Sequence, residues 1–463
     1  MACSEQSRVA CGIGGFYTAL AIESVLPILH SGPGCLFNVA GVLALANGRQ
    51  SAITYYESSI PSTNFCEEDV IFGGVERLRN LTAKALEYYK TDLVIIVDGC
   101  TAEIVGDDIE EVANDFADSE TPVIFASLPG FKGNNVWGHS QILNAIVDQY
   151  LTKPSKGVQK GLVNIFGVLP YYDPFWLGTL EQLENLLTDI GLTPNIIYGP
   201  GKGIEAVNQI PDAEFNLLVG PWVDLDIVEK LKVKFGTPYL HYPCVPVGAT
   251  EIAAFIRAVS EYAKLDSEKT EAYIKKNEDR YYSYLWRFNR MGGVMFPQKF
   301  YVNASASAAV SFTRFLINDV GLIPQKIFIS ENVPEEHHAQ IEKWLREPKY
   351  DGIKDYEIVF TDDGGLCDVE IKGLKSTDLE LTRACLFGTT WDELTAKNNG
   401  FPFVSISAPY GDRAVVNKSY FGYDGGITFF ADLYNDCIYK FLGSGSVANI
   451  DVQPEAALGA DAC

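Results

Sequence analysis

The chain has 463 residues, 47% of them apolar and 21% charged, and a formal charge of −24 at pH 7. That composition is globular, the length predicts about three domains, and the acidic excess disfavours nucleic acid and anionic membrane as partners. No apolar run is long enough to span a bilayer, and the start MACSEQSRVACG lacks a basic and apolar leader, so a cytoplasmic protein is expected.

Ten cysteines at irregular spacing argue against a disulfide framework, and metal binding is the expected use in a reducing compartment. Cys11 stands in Ala10-Cys11-Gly12-Ile13-Gly14-Gly15 and Cys35 in His30-Ser31-Gly32-Pro33-Gly34-Cys35. Glycine lets the backbone approach a bulky group, so both thiols are expected on tight loops. Leu93 to Val97 is an unbroken aliphatic run, which suits a parallel strand buried on both faces. It ends in Asp98-Gly99-Cys100, which puts Cys100 just past a strand's carboxyl end, where open α/β sheets place ligands. Thr101 or Asp107 is expected to cap the helix that follows, and Asp107 to Phe116 has helical spacing with acids in its first turn. Pro122 to Ser127 reads as the next buried strand.

Any one of these cysteines taken alone reads more readily as an ordinary buried thiol. Three of them on glycine-flanked or strand-end loops point instead to iron-sulfur ligation, since a cluster is bulky and its sulfides accept hydrogen bonds from nearby amides. A common cluster takes four thiolates, so three imply that a partner chain completes the site. The five histidines, His30, His139, His241, His337 and His338, form no metal-spaced pair apart from the last two, which follow Pro334-Glu335-Glu336 and read as a solvated loop or helix start.

These motifs make the chain resemble the component 1 proteins of the nitrogenase family over most of its length. That family carries an early cysteine, an H-G-x-x-G-C loop and a strand-end C-x-x-E-x-x-G-D-D. Here they read Cys11, then His30 to Cys35, then Cys100-Thr101-Ala102-Glu103-Ile104-Val105-Gly106-Asp107-Asp108. Between them, Cys66-Glu67-Glu68-Asp69-Val70-Ile71-Phe72-Gly73-Gly74 is similar to the family's segment ending in V-F-G-G, and Leu128-Pro129-Gly130-Phe131-Lys132-Gly133 to its T-P-S-F-x-G.

A polar break at Lys153-Pro154-Ser155-Lys156-Gly157 closes the first region. Beyond it Leu186-Leu187-Thr188-Asp189-Ile190-Gly191-Leu192-Thr193-Pro194 recurs as Leu316-Ile317-Asn318-Asp319-Val320-Gly321-Leu322-Ile323-Pro324. In each copy a helix stops at glycine, proline prevents its continuation, and a strand begins: Asn195 to Tyr198 and Lys326 to Ser330. Apolar strands precede both copies, at Gly161 to Phe166 and Lys299 to Val302, which makes two βαβ units. Further strands are expected at Tyr356 to Phe360 and Phe401 to Ile406, and a closing helix at Ile427 to Phe441. The expected fold is α/β, three Rossmann-like domains with parallel sheets flanked by helices, at residues 1–157, 158–285 and 286–441, with 442–463 a fraying tail and Cys463 idle. Neither repeat carries G-x-G-x-x-G or a Walker loop, so bound nucleotide is not expected.

The resemblance implies a β-type subunit. No histidine follows His338, where an α-type chain holds its catalytic cofactor, and Pro402-Phe403 with Pro409-Tyr410-Gly411-Asp412-Arg413 is similar to the β-type P-F…P-x-x-D-R. Cys244 fits the β-type C-x-P segment loosely, and Gly422-Tyr423-Asp424-Gly425 is closer to an α-type ending. What the resemblance implies is electron relay: an ATP-dependent iron protein docks, and Cys11, Cys35 and Cys100 hold an 8Fe-7S P-cluster or a 4Fe-4S cluster with the partner's thiolates. Electrons then pass to an iron-containing cofactor in an α-type partner of an α2β2-like heterotetramer, with room for a small accessory subunit. The chain departs from the family in four places: Gly12-Ile13-Gly14-Gly15 replaces Q-P-x-G-A, Gly130 replaces a serine that can ligate the cluster, Cys66 stands where histidine is common, and the molybdenum-type amino-terminal extension is missing. A divergent reductase, such as methylthio-alkane reductase, and a cofactor-assembly scaffold are the alternatives, beside a Rossmann-like binding protein with incidental thiols.

Overall fold

The structure, a computed structural model, describes residues 6–46, 48, 60–151, 157–292, 297–348, 355–372 and 384–436. Val25–His30 (β1), Leu93–Asp98 (β2) and Val123–Ser127 (β3) form a parallel sheet in the order β1-β2-β3. Every residue of β2 is buried, as its aliphatic run requires of a middle strand covered on both faces. Successive side chains point to opposite faces, so Leu93, Ile95 and Val97 join one apolar cluster while Val94 and Ile96 pack with Leu78, Ala85 and Val112 in another. Each such side chain contributes about 1.5–3 kcal/mol by burial.

The second sheet holds Gln159–Phe166 (β4), Thr193–Asn195 (β5), Ala213–Val219 (β6) and Tyr239–Tyr242 (β7) in the order β5-β4-β6-β7, all parallel. The third holds Lys299–Ala304 (β8), Ile323–Ile329 (β9), Glu357–Phe360 (β10), Ala384–Gly388 (β11) and Phe403–Ser405 (β12) in the order β10-β9-β8-β11-β12, again parallel. Each of the three expected regions thus carries one parallel sheet.

The repeated segment behaves as its glycines predict. Helix Trp176–Asp189 stops before Gly191 at φ 95°, and helix Ala306–Phe315 with its π-turn Leu316–Val320 stops before Gly321 at φ 78°. Left-handed backbone at these stops is costly for any residue with a β-carbon. The strand after the first copy is earlier and shorter than expected. Asn195 turns its amide inward to Asn164 Oδ1 at 2.8 Å and the Ala206 carbonyl at 2.9 Å, and Ile196 to Tyr198 are buried beyond the strand.

Helix Ser267–Gly292 runs unbroken past Leu285, so the expected boundary between the second and third regions falls inside a helix. The closing helix, Gly422–Tyr434, starts earlier than the expected Ile427, and residues 437–441 of the expected span lie outside the described residues. His337 and His338 lie in helix Glu335–Leu345, near its start, and His338 stacks on Phe360 at 3.7 Å. One apolar cluster runs from Ile13 to Leu433 and includes strands of all three sheets. Residues 152–156 of the polar break and the tail with Cys463 lie outside the described residues. Among the described residues no helix is long and apolar enough to cross a membrane.

Candidate functional site

Cys11 precedes the 3-10 turn Gly12–Gly15, whose four residues are all buried. A β-carbon on Gly12 would lie 2.9 Å from the Gly133 carbonyl oxygen, and one on Gly15 would overlap the backbone of Gly138. Only glycine lets this turn lie against helix Asn135–Ala145, and that contact fixes Cys11. Cys35, expected on a tight loop, is instead the third residue of helix Pro33–Ala46 after β1, and Cys100 opens helix Cys100–Val105 after β2. Two adjacent parallel strands therefore each deliver a thiol at their carboxyl ends, where such sheets place ligands.

The three thiols converge. A β-carbon on Gly130 would overlap Cys11 Sγ and lie 3.6 Å from Cys100 Sγ. A β-carbon on the neighbouring Gly99 would lie 3.7 Å from Cys35 Sγ. Burial pushes the Cys11 thiol pKa up, and repulsion from Cys100 and Cys35 adds to it, while the amides of Ile13 and Gly12 pull it down. Among the described residues no three His, Cys, Asp or Glu side chains gather closely enough to hold a single metal ion. A single ion draws its ligands to within about 2.3 Å of one point. A cluster binds each thiolate through a different iron and takes them further apart.

The surroundings suit sulfur. The amide of Gly130 donates to Cys100 Sγ at 3.1 Å. The hydroxyl of Ser31, fully buried, has no hydrogen-bond partner and lies against Gly99 beside Cys35. A buried hydroxyl without a partner costs about 1–3 kcal/mol, and a sulfide acceptor would relieve it.

Behind the thiols stands a polar frame that sequence reasoning missed. His30 Nε2 donates to Asp107 Oδ2 at 2.9 Å, and the Gly74 amide donates to the same oxygen at 2.8 Å. Asp107 thus ties β1 to the start of helix Val75–Tyr88 and caps neither of the helices beside it in sequence, contrary to expectation. Helix Cys100–Val105 has Gly99 at its cap position with no side-chain bond, and Asp108 caps the separate helix Ile109–Asp115 by accepting the Glu111 amide at 2.9 Å. Asp98 accepts the Leu128 amide at 2.9 Å, and burial pushes its carboxyl up to about 7. The paired acids of Gly106-Asp107-Asp108 were the visible signal for a second role besides capping.

Cys66 is exposed at the start of helix Glu67–Phe72, and Arg77 Nη2 donates to its sulfur at 3.3 Å. Cys244, Cys367 and Cys385 are buried. Exposed apolar side chains stand near the thiols, Phe37, Ile71, Phe72, Ile104 and Phe131, among exposed charges at Glu67, Glu68 and Lys132. Each apolar one lies on, or packed beside, an element that carries or contacts a converging cysteine.

Fold and site together define an α/β protein of three parallel sheets with a thiol trio at the carboxyl ends of the first. The sequence matches the family described as nitrogenase component 1 type oxidoreductase over residues 11–438, and the chain belongs to that family. It is 27% identical to a light-independent protochlorophyllide reductase subunit from Chlorella vulgaris, over 72% of this chain and 64% of that protein, so the match spans just under two thirds of that relative. It is 20% identical to the nitrogenase molybdenum-iron protein beta chain of Frankia alni, over 97% of this chain and 85% of that one. The fold is similar to a solved structure titled nitrogenase Cp1 at pH 6.5, with a TM-score of 0.78 and 20% identity, covering 95% of this chain and 94% of that one.

Proposed function

We propose that this chain is the β-type subunit of a nitrogenase-like component 1 complex, with Cys11, Cys35 and Cys100 holding half of an interface iron-sulfur cluster. The meeting of three sulfurs around Gly130 and Gly99 is the observation that carries this reading. Three thiolates are one short of the common four, which supports completion by an α-type partner. The exposed apolar side chains of Phe37, Ile71, Phe72, Ile104 and Phe131 support a macromolecular neighbour at the same place. Similarity to a protochlorophyllide reductase subunit and to a nitrogenase beta chain supports the β-type assignment.

When bound, the cluster would supply one-electron storage between an ATP-dependent iron protein and an iron-containing cofactor in the partner. The residues of this chain have simpler tasks. Gly130 donates its amide to the Cys100 sulfur, and such bonds shift the potential of a thiolate-held cluster. The amides of Ile13 and Gly12 stabilise the Cys11 thiolate, and the Ser31 hydroxyl is the free donor beside Cys35. Because the Cys11 sulfur fills the space a side chain at position 130 would need, that position supplies no serine ligand. The ligand set therefore favours a member diverged from molybdenum-type β chains, reducing dinitrogen or another inert substrate such as an organic sulfur compound. A cofactor-assembly scaffold is the second reading, disfavoured by retention of all three thiols.

Anaerobic co-purification with the partner, metal analysis and reduced-state EPR test the proposal. Iron with a paramagnetic signal that depends on all three cysteines is expected, and a chain purified with its partner but without iron would overturn it. Iron without turnover in the presence of the iron protein would favour the scaffold.

A further inference from the structure

A second site lies away from the thiols, where the second and third sheets turn their carboxyl ends toward one cavity. Gly167 after β4, Val223 beyond β6, Val247 beyond β7, Ser305 after β8, Glu331 beyond β9 and Ile406 after β12 all line it. The cavity lies where these two sheets end, and carboxyl ends of parallel strands are where α/β folds bind ligands.

The charged side chains among its described lining residues are of one sign. The carboxylates of Asp173 and Glu331 are among the lining residues, and none of the described lining residues is Lys, Arg or His. Glu331, 4% exposed, accepts the Ala306 amide at 2.7 Å at the start of helix Ala306–Phe315. The positive end of that helix is therefore already met by the protein's own carboxylate, which closes it to an anion. Further along the same helix, Ser311 lines the cavity, is 3% exposed, and has no hydrogen-bond partner for its hydroxyl. The remaining wall is mostly apolar, with Leu169, Phe175 and Phe312 contributing. None of the described lining residues carries a thiol or an imidazole, so the donor set does not suit a soft or borderline metal.

We infer that this cavity binds a small organic cation, a primary ammonium on an apolar body, the ammonium met by the carboxylates of the wall and by the Ser311 hydroxyl. Burial holds Glu331 above the usual carboxylate range and pushes Asp173 up to about 6, which is the condition of carboxylates that lack a positive partner. A cation supplies that partner, and a single aromatic or branched aliphatic body fills the apolar wall. The site shares no residue with the thiol trio, so it stands or falls separately from the proposed electron relay.

Benzylamine, benzyl alcohol and benzoate share a ring and differ in charge, and calorimetric titration of the full chain with each at neutral pH is the test. Saturable benzylamine binding, weaker benzyl alcohol binding and no benzoate binding are expected. Glu331→Gln keeps an oxygen for the Ala306 amide while removing the charge, so it should weaken benzylamine about tenfold or more and leave benzyl alcohol unchanged. Ala308→Phe fills the cavity and should abolish binding of both. Circular dichroism of the free variants shows which are folded, and Ser311→Ala, a milder change, should weaken benzylamine about threefold if Glu331→Gln does not fold. No benzylamine binding, equal affinity for the three probes, or unchanged benzylamine affinity in a folded Glu331→Gln or Ser311→Ala variant would each overturn the inference.

Discussion

The amide of Gly130 donates to the sulfur of Cys100 at 3.1 Å, and the place where Gly130 would carry a side chain is filled by the sulfur of Cys11. One residue without a β-carbon therefore sets the relation of two thiols, holding one by a hydrogen bond and making room for the other. Position 130 is as tightly constrained as the cysteines themselves.

Gly130→Ala should consequently displace the Cys11 side chain. The backbone at Gly130 needs no positive φ, so the fold should survive with a melting temperature within a few degrees of the parent. Iron per complex, measured after anaerobic purification, should fall by more than half, and full iron with an unchanged EPR spectrum would mean that Cys11 is not a ligand.

Cys100→Ala should abolish the cluster and weaken association with the partner chain. Cys66→Ala should keep the iron, because the Cys66 sulfur is exposed and held by Arg77. Metal analysis and size-exclusion chromatography of the two variants side by side separate ligand from bystander; loss of iron from Cys66→Ala would make Cys66 a fourth ligand.

Asp107→Ala leaves the buried His30 ring nitrogen and the Gly74 amide without their shared acceptor, a loss of about 3 kcal/mol. Burial also holds the His30 imidazole below its ordinary value, against the pull of Asp107 and Asp69. A histidine with a depressed folded pKa contributes stability that is present above its unfolded pKa, about 6.5, and is lost as pH falls through the folded value. Urea unfolding should therefore show lower stability at acidic than at neutral pH, and His30→Gln should reduce that difference. An unchanged difference would remove His30 as its source.

Arg8, three positions before Cys11 in the sequence, reaches across to the third sheet's end. Its guanidinium donates to Thr389 Oγ1 and Asp392 Oδ1, both at 2.7 Å, with both charged side chains 2% exposed. Arg8→Met strands the Asp392 carboxylate in the interior, at a loss of about 3 kcal/mol, the lower end for a broken buried pair, because Asn303 and Thr389 still donate to it. Chemical denaturation measures the loss. Iron content should fall with it, since the Cys11 loop loses its anchor; a loss below about 1 kcal/mol would show that the pair is not buried in solution.

Much of this molecule was legible before any coordinates. The aliphatic run at Leu93 is the buried middle strand β2, the glycines at 191 and 321 end their helices in left-handed backbone, and each of the three regions carries a parallel sheet. These features depend on local backbone preference and on how apolar residues alternate, and both are written in neighbouring positions. The motif at Cys100 was legible for the same reason, since a thiol just past a strand end is a local fact.

What the sequence by itself determined was part of the strand set, the helix stops at Gly191 and Gly321 and the strand-end place of Cys100, while β1, β6, β7 and β11 went unread and Cys35 sits inside a helix. Only the tertiary structure decided that Asp107 binds His30, 77 positions away, and leaves the capping to Asp108, that a helix bridges the expected boundary at Leu285, and that carboxyl ends of two sheets enclose a cavity with Glu331 in its wall. A polar side chain takes whichever partner packing brings within about 3 Å, and a cavity is the space left between elements distant in sequence. Neither can be read from a residue and its neighbours, because both are properties of how whole sheets meet.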